Sequence, residues 1–345
     1  MALRLIQVGL GGWGQNWYSE VVSQSKAVET VAWVEIDEQA LANARQRLNL
    51  PEERCFLKLD EALATIEADV VLITASLAGH VPAARAALLA GKHVLVEKPF
   101  APTLAEAAEL IKLAEQCQRI IMVSQNYRFG QAVKKVRAQV RQQLLGPVSS
   151  VAIDFRRSAN TVPATNHRHY QLWHPLLVDM SIHHFDLMRY VLGQEPLEII
   201  CKTWNPPWSN FVEPPAAALI VTLDGGTVVN YRGSWISQGP QTNWCGDWSM
   251  DCEHGQIIWT GRGELGDKVL VRPSGQRVRA MRLPMLEQVD RKGSLQAFVQ
   301  AVENGQTPES SGRDNIKTLA LMFAAIQSAE SGLPVKIADL LPALV

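Results

Sequence analysis

The sequence predicts an α/β chain: an open, doubly wound parallel sheet in its N-terminal part, then an α+β domain built on a large open antiparallel sheet. Three observations predict it. Short, almost wholly apolar β-type runs alternate with Ala-, Leu- and Glu-rich helical patterns over the first 125 or so residues, and such strands need cover on both faces, which a parallel sheet flanked by helices supplies. From Leu197 to about Leu283 the rhythm changes to alternating runs joined by turn signals, the mark of antiparallel pairing. The length, 345 residues, suits two domains with a sizeable core, placed here at 1–125 and 126–345.

The first-half strands read as Arg4 to Val8, Thr30 to Glu35, Val70 to Thr74, His93 to Glu97 and Ile120 to Ser124. Helices between them read as Asp37 to Leu48, Val81 to Ala90 and Leu104 to Gln118, with Asp37, Pro82 and Thr103 as start signals. A helix at Gln131 to Leu145 stops at Gly146-Pro147, and another at Leu177 to Leu192 stops at Gly193. The second-half strands are Ile199 to Trp204, Ala217 to Leu223, Thr227 to Ser234, Trp244 to Cys252, Gln256 to Thr260 and Lys268 to Val271. Asp224-Gly225-Gly226 and His254-Gly255 are hairpin turns, and Asp314 to Ser328 is a closing helix. No internal repeat or low-complexity linker interrupts this order.

Bulk composition narrows the function. With 47% hydrophobic and 19% charged residues and a formal charge of -1, the chain has no basic surface for nucleic acid or anionic lipid. No apolar run reaches the ~18 residues a membrane span needs. Met1-Ala2-Leu3-Arg4 leads straight into a strand without signal-peptide features. Five cysteines without a CxxC pair suit reduced, buried thiols. A cytoplasmic protein with small-molecule partners is expected.

The string IQVGLGGWG sets Gly9, Gly11 and Gly14 in G-x-G-x-x-G spacing, directly after a strand and before a helix. In that context one glycine allows the turn, the next lets backbone approach a pyrophosphate, and the third permits close helix packing, with the helix N-terminus facing the charge. Glu35 ends the second strand, where an acid accepts hydrogen bonds from the adenosine ribose and repels a 2'-phosphate. Neither Ile36 nor Asp37 offers a basic partner, so NAD is expected in preference to NADP.

Two further segments carry chemistry: GKHVLVEKPF at Gly91 to Phe100 and VDMSIHHFDLMRYVLG at Val178 to Gly193. Lys98 follows a strand at the sheet edge where open α/β folds bind ligands; its ammonium is either a solvated strand-end charge or a group that stabilises a developing alkoxide. Asp179 and His183, four apart, share a helix face, with Asp186 nearby. Spacing alone leaves open a capping Asp and a core His; a neutral-range imidazole beside a carboxylate is equally a proton acceptor. His184, about 100° further around, is structural. No zinc-ligand spacing joins the histidines, so no metal is expected.

With the glycine loop, ITASLAGH at Ile73 to His80 and SQNYRF at Ser124 to Phe129, these segments resemble the Gfo/Idh/MocA oxidoreductases, named for glucose-fructose oxidoreductase, inositol dehydrogenase and a rhizopine-catabolism protein. The resemblance runs from Leu5 to near Ser328. It implies a Rossmann domain, catalysis by Lys98, Asp179 and His183, and a Pro99 often preceded by a cis bond. It extends the cofactor site from Gly9, Gly11, Gly12, Trp13, Gly14 and Glu35 to Thr74, Ser76, Leu77, His80, Glu97, Lys98 and Gln125.

The chain departs from the family at Leu176-Leu177-Val178, where a glycine pair is common, at Ser181 for a small Gly, and at Ser76-Leu77-Ala78-Gly79, where a second Pro and an Asn are common. The polar stretch from Arg156-Arg157 to His169-Tyr170, with Trp173 and His174, is a candidate substrate wall. Seven of ten tryptophans lie after residue 170, either stacking on a sugar or filling a sheet face against helices or a second subunit.

The expected reaction is hydride transfer between NAD and a secondary hydroxyl of a sugar, polyol or inositol-like substrate, with the antiparallel sheet forming one wall of the cleft and, by resemblance, the contact of a homodimer or homotetramer. Two alternatives stand beside it: an NAD-assisted lyase or glycosidase with tightly bound cofactor, and a non-catalytic nucleotide-sensing protein.

Overall fold

The structure, a computed structural model, describes residues 2–161, 167–261 and 266–342. The chain packs as two compact units, one holding the residues up to Phe129 together with Glu287–Lys317, the other Gly130–Leu286 with Thr318–Leu341.

In the first unit the order is β1 (Leu3–Val8), α1 (Gly12–Glu20), β2 (Val28–Val34), α2 (Glu38–Leu48), β3 (Cys55–Phe56), α3 (Leu59–Thr65), β4 (Val70–Ile73), α4 (Leu77–Leu89), β5 (His93–Val96), α5 (Leu104–Gln116) and β6 (Ile121–Val123). The strands form a six-stranded sheet in the order β3-β2-β1-β4-β5-β6, with every pairing parallel. This is the doubly wound sheet the apolar runs predicted, and β4 is buried along its whole length. The start signals acted in different ways. Asp37 caps α2 by accepting from Ala40 N at 2.6 Å, and Thr103 caps α5, its hydroxyl accepting from Glu106 N at 3.1 Å and donating to the Glu106 carboxylate at 2.7 Å. Pro82, by contrast, lies inside α4, which begins at Leu77 rather than Val81; as the sixth helical residue it forgoes one regular backbone hydrogen bond, and the helix continues through it.

The second unit contains α6 (Gln131–Arg141), β7 (Val148–Arg156), α7 (Ile182–Leu192), β8 (Pro196–Trp204), β9 (Ala216–Leu223), β10 (Val228–Ser234), β11 (Asp247–Cys252), β12 (Gly255–Thr260), β13 (Lys268–Pro273) and β14 (Arg279–Met281). After α8 (Asp290–Asn304) and α9 (Gly312–Ser331), β15 (Val335–Lys336) completes a nine-stranded sheet, β14-β13-β12-β11-β7-β10-β9-β8-β15. Its pairings are antiparallel except β7 with β10, which run parallel. Both predicted hairpins form, β9 with β10 and β11 with β12. One sheet face is buried through Ile153, Phe155, Leu219, Val221, Tyr231 and Trp248; the alternate residues Ile200, Trp204, Ile220 and Arg232 are exposed.

Of the elements that were not predicted, two matter most. β7 alternates Val151, Ile153 and Phe155 inward with Ser150, Ala152 and Asp154 outward and sits mid-sheet. α8 puts Leu295, Phe298 and Val299 into one core cluster with Leu5, Trp17, Leu72 and Met122, which explains why Glu287–Lys317 belongs with the N-terminal sheet. Among the described residues, no helix is long and apolar enough to cross a membrane.

Candidate active site

The glycine loop leaves β1 at the carboxyl edge of the parallel sheet, between β2 and β4, where the strand order reverses and open α/β folds bind ligands. Two of its glycines are sterically required. Gly9 has φ +91°, and a Cβ there would lie 2.4 Å from Ala75 N; a Cβ on Gly14 would lie 2.0 Å from Gly9 O. Gly11 and Gly12 face open space, with nothing within 4 Å of a Cβ at either. Gly14→Ala is therefore expected to destabilise the protein by about 2–3 kcal/mol, since backbone rather than a side chain must move. Gly11→Ala should fold normally, because its methyl enters the open side, and its effect is expected on dinucleotide binding rather than on stability. Thermal unfolding and calorimetric NADH titration of both variants separate the two effects.

Glu35 lies one residue beyond β2 and is half-buried. Its Oε2 accepts from Leu10 N at 2.7 Å and Oε1 from Asp37 N at 3.1 Å, so the carboxylate also shapes the loop. A carboxylate has about four acceptor sites, leaving room for ribose hydroxyls. Thr74 turns inward, its hydroxyl donating toward Val8 O and Gly9 O at 3.1 and 2.8 Å. His80 is buried with its ring nitrogens 2.9 Å from Pro99 O and 3.2 Å from Ala75 O; burial, with Lys98 close by, holds it below the usual histidine range. The polar side-chain atoms of both residues thus pair with backbone carbonyls of the loops, while Ser76 is exposed and Leu77 half-buried at the start of α4.

Glu97 and Lys98 follow β5. Glu97 is 5% exposed and receives the Trp17 indole N–H at 2.7 Å, the Lys98 backbone N–H at 3.1 Å and the Trp13 indole. Burial pushes its carboxyl up, against the opposing pull of the Lys98 ammonium and these donors. The Lys98-Pro99 bond is cis, and Lys98 is half-buried. Gln125, after β6, is 1% exposed, and neither amide atom has a hydrogen-bond partner. A buried orphan amide is costly unless a ligand or water pairs with it.

In the second unit Asp179 lies in a π-helical turn, Pro175–Ser181, and α7 starts only at Ile182. This corrects the continuous α-helix expected from Leu177: the backbone makes a wider π-helical turn around Asp179 before α7 begins. His183 is 6% exposed. Asp186 is buried and accepts from Thr318 Oγ1 at 3.2 Å. His184 is fully buried between Tyr231 Oη (3.0 Å) and Trp244 O (2.9 Å), and burial lowers it to about 4, so it is a neutral structural link.

Sequence reasoning missed a neighbour of Asp179. His169 Nε2 lies 3.4 Å from Asp179 Oδ2, and its ring is packed edge-on against Phe211 and Trp235 at 5.2 and 4.9 Å. The only signal was its place in the polar stretch read as a substrate wall. Of that stretch, residues 162–166 lie outside the described residues; Tyr170 is buried and donates to Ala159 O at 2.9 Å, and Trp173 is exposed.

The first unit's residues fit a dinucleotide: a glycine cradle closed to side chains at Gly9 and Gly14, open at Gly11 and Gly12, a carboxylate at Glu35 and an orphan amide at Gln125. Comparison with known proteins agrees in kind. An uncharacterised protein of Sinorhizobium fredii, y4oX, is 26% identical over 99% of this chain and 97% of its own. The myo-inositol 2-dehydrogenase of Thermotoga maritima is 24% identical over 98% of this chain and 100% of its own. An oxidoreductase from Agrobacterium radiobacter, solved with NAD+, L-tartaric acid and magnesium, has the same fold, with a TM-score of 0.85 at 20% identity, covering 98% of this chain and 99% of that one. Residues 3–125 match the oxidoreductase family with an NAD-binding Rossmann fold, and residues 133–258 match the GFO/IDH/MocA C-terminal domain; the chain belongs to the Gfo/Idh/MocA oxidoreductase family.

Proposed function

We propose that this oxidoreductase is an NAD-dependent dehydrogenase acting on a secondary hydroxyl of a sugar, polyol or inositol-like substrate. The observation that carries the reading is in the first unit: Lys98 follows β5 at the same sheet edge as the open glycine loop, joined to α1 through Glu97 and Trp17. A charged amine placed beside a dinucleotide cradle is the group that hydroxyl oxidation needs, and the inositol dehydrogenase relative supports the substrate class. NAD, when bound, supplies the hydride acceptor, and the protein supplies position and electrostatics. Lys98 binds the substrate oxygen and stabilises the negative charge that grows on it. His183 takes the hydroxyl proton, and Asp179 orients His183 or a substrate hydroxyl. We assign residues 1–125, with the segment Glu287–Lys317 that packs in the same unit, to cofactor binding and the rest of 126–345 to substrate binding, and read the exposed face of the nine-stranded sheet, with Ile200, Trp204 and Ile220, as the surface where copies of the chain meet.

Glu35 carries the preference for NAD over NADP. Wild-type protein is expected to bind NADH at least about tenfold more tightly than NADPH, because a 2'-phosphate would meet a carboxylate. Glu35→Gln, which keeps an acceptor for Leu10 N, should close most of that gap, as parallel calorimetric titrations would record. Tighter binding of NADPH by the wild type would remove the NAD assignment. The reaction itself is tested by NAD reduction with a panel of sugars, polyols and inositols.

A further inference from the structure

We propose that Arg291, in the first turn of α8, is a further cofactor-binding residue whose guanidinium supplies positive charge to the diphosphate of the dinucleotide at the glycine loop. The inference rests on the NAD reading above and deepens it. The loop Gly9-Leu10-Gly11-Gly12-Trp13-Gly14 contains no Lys or Arg, so its own share of anion binding is backbone N–H groups and the N-terminus of α1. A diphosphate brings two negative charges to that spot, and the nearby chain supplies a cation from a distant part of the sequence.

The guanidinium carbon of Arg291 lies 4.4 Å from the ring centroid of Trp13, inside the loop, and 5.6 Å from that of Trp17 on α1. Stacking of this kind fixes a flat cation while leaving its edge free to donate. Arg291 Nη1 is buried and has no hydrogen-bond partner, and among the described residues the guanidinium forms no ion pair. A buried donor without an acceptor is costly, and for a charged group more so; an oxyanion at the loop removes that cost. The first turn of α8 is also anchored on both sides. Asp290, with φ +55°, accepts from the Asn126 side chain, next to the orphan amide of Gln125, and Lys292 Nζ donates to Gln24 Oε1 at 2.6 Å, just past α1. Asp290 is thus occupied by Asn126, while Arg291 is held against the loop.

The test is calorimetric titration of the full-length protein with NADH, ADP-ribose and adenosine at several salt concentrations, comparing wild type with R291M and R291K. R291M keeps a long side chain on Trp13 without charge; R291K keeps the charge without the flat stack. Expected are a roughly tenfold weaker NADH affinity and a shallower salt dependence for R291M, the same loss for ADP-ribose, none for adenosine, and a loss of threefold or less for R291K. Unchanged NADH affinity in R291M overturns the inference. So does a loss with unchanged salt dependence, or one shared by adenosine, since Arg291 would then only prop Trp13. Wild-type protein that binds neither NADH nor ADP-ribose overturns the NAD reading itself, and this inference with it.

Discussion

Lys98→Ala lowers turnover by about 10²–10³-fold while NADH still binds with nearly wild-type affinity. The size follows from the work assigned to the ammonium. As hydride leaves carbon, charge develops on the substrate oxygen, and removing one well-placed donor to such an oxygen typically costs about 10²–10³ in rate. Lys98 is half-buried beside buried Glu97, so water replaces it poorly. The carboxyl of Glu97 is pushed up by burial and pulled down by Lys98; removing the ammonium favours its neutral form, which can still accept from Trp17. The loop should therefore stay folded, and stopped-flow reduction of NAD beside a binding isotherm checks both halves of the statement. Lys98→Arg is a sharper probe: it keeps the charge but spreads it over a larger fork, and is expected to recover only a small part of the rate.

The second large effect is at His183. His183→Ala is expected to lower kcat by about 10²–10⁴-fold, the usual value of a positioned proton acceptor, with a smaller loss in Asp179→Asn, because that side chain orients rather than transfers. Since His183 is buried, truncation leaves a cavity of imidazole size, and added imidazole should restore part of the rate in His183→Ala but none in Lys98→Ala. A loss of equal size in kcat that imidazole leaves untouched, together with a lowered melting temperature, would mean that His183 only supports α7.

The parts of the fold and site that were legible in the sequence are those whose causes are local. Gly9 and Gly14 were readable because a turn and a close helix contact demand a missing Cβ at fixed spacing, and the structure shows the backbone atoms that enforce it. Glu35 followed from the end of the second strand. Three things were not legible, each because its cause is remote. The π-helical turn around Asp179 looks like ordinary helix in Leu176-Leu177-Val178 and depends on how the segment meets its neighbours. His169 reaches Asp179 only through the fold, in a box of Phe211 and Trp235 from other elements. α8 carries a glycine in its first turn, a weak helix signal, yet Gly293 is what allows contact with Phe129, since a Cβ there would lie 2.6 Å from that residue's own Cβ. Thr74 and His80, which the family resemblance placed beside the cofactor, direct their side-chain polar atoms to backbone carbonyls, a pairing that only the fold reveals.

The most direct test of the central claim is NADH formation by purified protein with NAD and a panel of sugars, polyols and inositols, run beside Lys98→Ala and His183→Ala. The account predicts turnover by the wild type on at least one substrate bearing a secondary hydroxyl, lost in both variants while each still binds NADH. Turnover that survives both substitutions would contradict it, as would tight NADH binding by wild-type protein that reduces no NAD with any substrate.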